Sequence, residues 1–553
     1  MEPLSRRAAL TGLAASAVAL ATACSSRDDP ADGPVVDQTG PVGEPDEEQT
    51  AAKPEDTGHR VVTRQQLEPV VLPADDAGSI AVSRAVLESA TAVVVARVPE
   101  FPDEVAPTDP ETEPTPEGSQ EPAESPDATA SPGADASPSP ESPPVDHLAA
   151  AAAEAERLGL PLLVDGEGLV EELDRLGTRL VIAFPSEGLD VGDREVLDGS
   201  QGTDPEGLPA TIGEVDAIAM KVQDQDLSTS VAATLAAAGV DVMEVDYADP
   251  RATADSVALV KDAAGVLALG AFGDNERFAS RLEDARTLPE LPGGGVAPFP
   301  GRMMIALYGH PGAPVLGVMG EQGPQEAAAL AKRYAEEYQA ISDKPVIGCF
   351  EIITTIASSS AGSDGNYSIL SSMERIMPFV DAAEEHGLYV VLDLQPGMTD
   401  FLTQAQRYEE VLKRPHVGLA LDPEWRLQPG QRHMTIIGQV HIDEVNATGA
   451  WLADLVRQNN LPPKVLVLHQ FQTRMIIERE RLDTSRDEVQ YLMHADGHGN
   501  HGMKLETWRV LRQGLPEGVH LGWKNFIDED SPMMTVEQTM TMVEPTPDFV
   551  SYQ

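Results

Sequence analysis

Leu388-Tyr389-Val390-Val391-Leu392-Asp393-Leu394-Gln395 and, one helix-length segment later, Val417-Gly418-Leu419-Ala420-Leu421-Asp422-Pro423-Glu424-Trp425 share one form: a short apolar run ending abruptly in polar residues. Runs of this length, separated by helical spacing, read as parallel strands covered on both faces. The form recurs at 303–308, 345–352, 465–469, 489–494, 519–523 and 549–552, which makes eight strands with 388–394 and 417–421. Between them, Leu330, Tyr334, Tyr338 and Ile341 fall on one helical face, as do Met373, Ile376, Met377, Val380 and Ala383. Eight β-then-α units in about 250 residues predict a (β/α)8, TIM-type barrel over 296–553.

Such a barrel carries its chemistry where the strands end, because the loops there form one mouth over a packed interior. Polar residues gather at those positions: Tyr308 and His310 after the first strand, Glu351 in the second, Asp393 and Gln395 after the third, Asp422 and Glu424 after the fourth. His469, then His494 and Asp496, then Trp523 and Lys524, and finally Tyr552 continue the series, whereas strand starts are mostly apolar. Glu351, Asp393, Asp422 and Glu424 are the candidate catalytic acids. Tyr308, His310, Gln395, Trp425, His469, His494, Asp496, Trp523, Lys524 and Tyr552 are the candidate substrate contacts.

Asp422-Pro423-Glu424-Trp425 is the sharpest segment. In an extended chain a period of two puts both carboxyls on one side, and each raises the pKa of the other, which is how a general acid stays protonated near neutral pH. Trp425, with Trp523, offers an apolar face for a sugar ring. The segment looks like the (β/α)8 glycoside hydrolases, many of which carry an acid at the end of the fourth strand. It departs from their commonest pattern at Trp523-Lys524, where the seventh strand ends without a carboxylate, so the partner acid would be Glu351, Asp393 or Asp496. The competing structural reading pairs Asp422 and Glu424 with Arg426 or Lys524 in salt bridges.

Two other functions fit the same residues: a non-catalytic glycan binder using the mouth, and a metal-dependent hydrolase built on His310, His469, His494 and His498 with Asp393 or Asp422. The metal reading lacks a His-x-His after the first strand. Gly293-Gly294-Gly295 has no strand–helix context for a phosphate loop, no Gly-x-Ser-x-Gly elbow occurs, and Cys349 lies within a strand. The expectation is a site without metal or cofactor.

Upstream, short apolar runs alternate with Ala-rich helical patterns from 59 to 290, the mark of a parallel α/β region. The order is helix 83–89, strand 92–98, helix 147–158, strand 160–164, helix 169–176 and strand 179–184. A second round runs 217–221, 228–238, 241–245, 254–263 and 265–269. A Pro-rich tract at 101–147 interrupts it, with twelve acids and no base, and is expected to be a disordered loop within the domain. The Pro/Gly cluster from Leu291 to Pro300 marks the boundary to the barrel.

The region from about 75 to 285 resembles the cell-wall-binding repeat 2 type, through Ser83-Arg84-Ala85 to Ser89-Ala90, Leu158-Gly159-Leu160-Pro161-Leu162-Leu163, and Glu172-Leu173-Asp174-Arg175-Leu176-Gly177. The whole is similar to actinobacterial lipoproteins that join such a region to a further C-terminal domain. That resemblance implies a cell-wall polysaccharide or peptidoglycan as partner.

At the start, Arg6-Arg7 precedes an apolar run to Ala23 and then Cys24. This reads as a twin-arginine export signal (1–24) with a lipobox, cleaved before Cys24, which then carries lipid such as palmitate. The run is shorter than the roughly 20 residues of a membrane-spanning helix. Residues 25–58, with ten acids and two bases, read as a disordered acidic stalk holding the folded part off the outer face of the cell membrane. With only Cys24 and Cys349 in the chain, lipidation of Cys24 leaves no intramolecular disulfide. A net charge of −53 excludes nucleic acid and anionic headgroups as surface partners.

Overall fold

The computed structural model describes residues 58–97, 146–202, 205–212 and 215–553. The export signal, Cys24 and nearly all of the two acidic tracts lie outside the described residues. Every described residue belongs to one compact unit, Thr57–Gln553.

Eight parallel strands close on themselves: β1 (Met303–Gly309), β2 (Val346–Ala357), β3 (Tyr389–Leu394), β4 (Val417–Leu421), β5 (Lys464–Gln470), β6 (Val489–Ala495), β7 (His520–Asn525) and β8 (Phe549–Tyr552). Each pairs with the next, and β8 pairs back onto β1 through Leu307 and Tyr552. The expected TIM-type barrel is therefore present, with every strand where the apolar runs placed it. One helical edge differs: the helix after β1 is Pro324–Gln339, so Ile341 lies beyond it and is half exposed.

Alternation along the strands sorts the side chains into two cores. Ile305, Leu307, Phe350, Ile352, Val390, Leu392, Leu419, Leu466 and Val550 face the surrounding helices. Met304, Ala306, Cys349, Tyr389, Val391, Ala420, Val465, Val467, Leu492 and Phe549 fill the barrel interior. Continuing the inward set one more step toward the C-terminal ends gives Tyr308, Glu351, Asp393, Asp422, His469, His494, Lys524 and Ser551. A polar layer thus lies directly on an apolar floor.

Below the floor, Leu291 and Phe299 pack with the interior residues and close the bottom of the barrel. Buried Arg302 holds this segment by donating to the carbonyls of Pro292, Gly294, Gly295 and Ala297. Glycine is needed at 295, since φ there is +75°, in the left-handed region, and a Cβ would lie 2.6 Å from the Ala252 carbonyl oxygen.

The α/β region consists of two four-stranded parallel sheets and a small three-stranded one. One sheet orders Leu162–Val164, Ala92–Ala96, Leu180–Phe184 and Glu195–Asp198; the other orders Asp241–Val245, Ala217–Val222, Gly265–Leu269 and Val71–Leu72. The expected helix at 83–89 is corrected: Ser79–Val86 is helical and Leu87–Ala90 is a strand pairing with Arg60–Thr63. The Ser-Arg and Glu-Leu-x-Arg motifs meet: Glu172, fully buried, accepts from Ser83, Arg84 and Arg175, joining the helices Ser79–Val86 and Leu169–Leu176. Among the described residues no helix is long and apolar enough to cross a membrane.

The region docks on the barrel face where strands begin. Asp487, just before β6, takes Arg277 at 2.6 Å and Arg281 at 2.8 Å, with buried Arg251 at 4.0 Å. Gln490 at the start of β6 brackets the Phe299 backbone with two hydrogen bonds.

Candidate active site

At the opposite face, a cavity of about 560 Å³ opens among the strand ends. Its wall includes Tyr308, Gln395, Asp422, Glu424, Trp425, Asp496, His498 and Lys524. Pro423–Trp425 is a single 3-10 turn, so Asp422 and Glu424 reach the same cavity through a turn and not through the extended chain that the sequence suggested.

His469, fully buried, sits between two carboxylates: Nε2 lies 2.7 Å from Glu351 Oε1, and Nδ1 lies 2.9 Å from Asp496 Oδ2. Burial alone would lower its pKa, but the negative charge of Glu351 and the bond to Asp496 outweigh that and hold it well above the ordinary value, as imidazolium. Lys524 Nζ approaches Asp496 Oδ1 at 3.1 Å and the Tyr308 ring centre at 3.7 Å. Burial opposes ionisation of Asp496 as well, yet Lys524 and His469 depress its pKa far below the carboxylate range.

The neighbouring acids move the other way. Burial, with Asp496 adding to it and Lys524 opposing, pushes Glu424 up to about 7. Burial and then the proximity of Glu424 and Asp393 raise Asp422 well above its ordinary value. Burial lifts Asp393 to about 7, with His469 opposing; its Oδ2 accepts from Tyr308 at 2.9 Å.

The salt-bridge alternative does not form. Arg426 pairs with Glu444 at 3.0 Å and Lys524 with Asp496, and among the described residues neither Asp422 nor Glu424 makes an ion pair within 4.0 Å.

Of the candidate acids, Asp422 and Glu424 reach the cavity. Glu351 and Asp393 lie behind its wall, fully buried, and touch His469 and Tyr308 instead. Among candidate contacts, Tyr308, Gln395, Trp425, Asp496 and Lys524 line the cavity. His469 and His494 sit beneath it, and Ser551 Oγ lies 3.0 Å from His494 Nε2.

Three placements are corrected. Trp523 faces outward, in edge contact with Trp508, its indole donating to Asn525. Tyr552 also faces outward and meets Tyr338 hydroxyl to hydroxyl at 2.7 Å. His310 is buried with Nε2 2.9 Å from Ser371 Oγ, away from the cavity wall. Strand parity explains the first two: each is one residue off the inward-facing set.

Phe471, Thr507 and Phe526 line the cavity and were not anticipated. They sit in loops and on a helix, where no period of two predicts direction.

Among the described residues no group of three or more His, Cys, Asp or Glu is disposed to hold a metal ion. Both ring nitrogens of His469 are engaged by carboxylates, and His494 faces Ser551.

Fold and site together define a TIM-type barrel with an acid-rich mouth. No protein-family model matches the chain, and no curated protein matches it by sequence. Among solved structures, the chain is similar to 7,8-dihydropteroate synthase from Vibrio fischeri ES114, at 9% identity and a TM-score of 0.21, over 45% of this chain and 87% of that one.

Proposed function

We propose that the protein is a lipid-anchored glycoside hydrolase of the cell envelope, acting on a cell-wall polysaccharide. The observation that carries the chemistry is a pair of carboxyls on one cavity shifted in opposite directions: Glu424 up to about 7, Asp496 far down. Groups driven apart in this way divide into acid and base roles.

Glu424, retaining its proton near neutral pH, donates to the glycosidic oxygen as the bond breaks. Asp496, fixed as carboxylate by Lys524 and His469, faces the positive charge that develops on the sugar ring, and a water then adds to the anomeric carbon and returns a proton to Glu424. Trp425 supplies an apolar wall for the ring. Glu351 and Asp393 touch no substrate; they hold His469 and Tyr308 in place. The envelope address rests on Arg6-Arg7, the short apolar run and Cys24.

Glu424→Gln should lower turnover on a susceptible envelope glycan by about 10²–10⁴-fold with little change in binding. In the wild type the rate should fall as pH rises through about 7, as Glu424 loses its proton. Unchanged turnover in Glu424→Gln would remove the assignment. Glycan binding with no product at any pH would make the protein a binder instead.

A further inference from the structure

The mouth holds more acid than base. Five carboxyl groups, Glu351, Asp393, Asp422, Glu424 and Asp496, gather with two cations, His469 and Lys524. The neighbouring buried Lys504 is paired with Asp530 and contributes no net charge.

Three acids of this cluster keep a buried carboxyl oxygen without a hydrogen-bond partner, Glu351 Oε2, Asp393 Oδ1 and Asp422 Oδ1, and of the three Asp422 alone lines the cavity. Asp422 is 2% exposed. Buried acceptors are normally satisfied, so a donor supplied by a ligand would complete it. The surrounding wall also includes the aromatic side chains of Trp425 and Phe471, and aromatic rings attract cations. Lys524, among the described residues the one Lys or Arg on that wall, is held by Asp496 and lies against the Tyr308 ring. An anionic sugar would find no free positive charge on that wall to hold it. At long range, a net charge of −53 draws cations toward the molecule.

We infer that the cavity takes a sugar carrying a free amino group, with the ammonium donating to Asp422. This rests on the reading of the barrel as sugar-active and narrows its substrate to a de-N-acetylated amino sugar. An N-acetylated sugar offers only a neutral amide there.

The groups that bear on Asp422 are Glu424 from its own turn, Tyr308 from β1, Asp393 from β3, His469 from β5, Asp496 beyond β6 and Lys524 from β7. Burial and the adjacent acids favour a proton on Asp422 in the empty cavity. An arriving ammonium would displace that proton, so affinity should rise with pH until the amine itself deprotonates.

The test is calorimetric titration of the full chain with glucosamine, N-acetylglucosamine and glucose tetrasaccharides, in two buffers of different ionisation heat. The glucosamine oligomer should bind at least about tenfold tighter than the other two and release a proton. In Asp422→Asn that preference should vanish, and a cooperative thermal melt shows that the variant is folded. Equal affinity for all three, no binding, a preference for the acetylated form, or a preference that survives Asp422→Asn overturns the inference. Proton release by the wild type tests it without any variant. Selective binding without cleavage would remove the hydrolase reading and keep this one; cleavage without amine preference would do the reverse.

Discussion

Lys524 lies 3.1 Å from Asp496 and against the face of Tyr308, so its position is fixed from two sides. Its charge, together with His469, keeps Asp496 ionised against burial. Lys524→Met removes that charge while keeping an unbranched side chain, and the pKa of Asp496 should move up toward the ordinary carboxylate value of about 3.9. The acid limb of the pH–rate profile should therefore shift to higher pH, with the limb set by Glu424 near 7 still present. A profile whose acid limb stays in place would show that Asp496 does not govern it. The reason for Lys524 was only half legible in sequence. Its place at a strand end was visible; its partner was not, because Asp496 comes from a different strand and their approach depends on closure of the ring.

Strand parity is information that the sequence carries beyond the position of its apolar runs. Apolar runs locate all eight strands, but the end of a run alone does not separate Trp523 and Tyr552 from Lys524. Counting by twos from Ala306 to Tyr308, from Ala420 to Asp422 or from Leu492 to His494 separates inward from outward positions. The turn at Pro423–Trp425 was not legible, since Asp-Pro-Glu suits both extended and turned backbone.

Parity also explains Gly418 in β4, on the inward face beside Tyr389. A Cβ there would lie 2.7 Å from the Val465 carbonyl oxygen and 3.1 Å from the Tyr389 hydroxyl. Backbone of the adjacent strand cannot yield as a side-chain tip can, so Gly418→Ala should destabilise the barrel by about 1–3 kcal/mol. A thermal melt would read this as a midpoint lowered by several degrees. An unchanged midpoint would mean the floor has slack that the packing does not show.

For the whole molecule, Asp487 is the principal charged joint between the α/β region and the barrel. Burial would raise its pKa, but hydrogen bonds from Arg281 and Arg277 and the charge of Arg251 outweigh it and hold the carboxyl well below the ordinary range. A depressed folded-state pKa means stability that is complete above the unfolded value of about 3.9 and is lost as pH falls below it. Asp487→Asn should therefore destabilise the protein at pH 7 by about 2–3 kcal/mol, since buried Arg251 keeps Asp249 and Asp284 as partners. The gap from wild type should narrow in acid; melts at neutral pH and near pH 3 check both, and a gap constant with pH would exclude the ionic account. None of this joint was legible in the sequence, because three arginines and one aspartate separated by some two hundred residues leave no local pattern.

Because the joint lies where the strands begin and the cavity opens where they end, the protein has two poles. Whatever occupies the cavity arrives from the side that the α/β region does not face. A long chain could thread across the opening without steric conflict from the described residues of the α/β region, and any grip exerted by that region would fall on a different strand or a distant stretch of the same one.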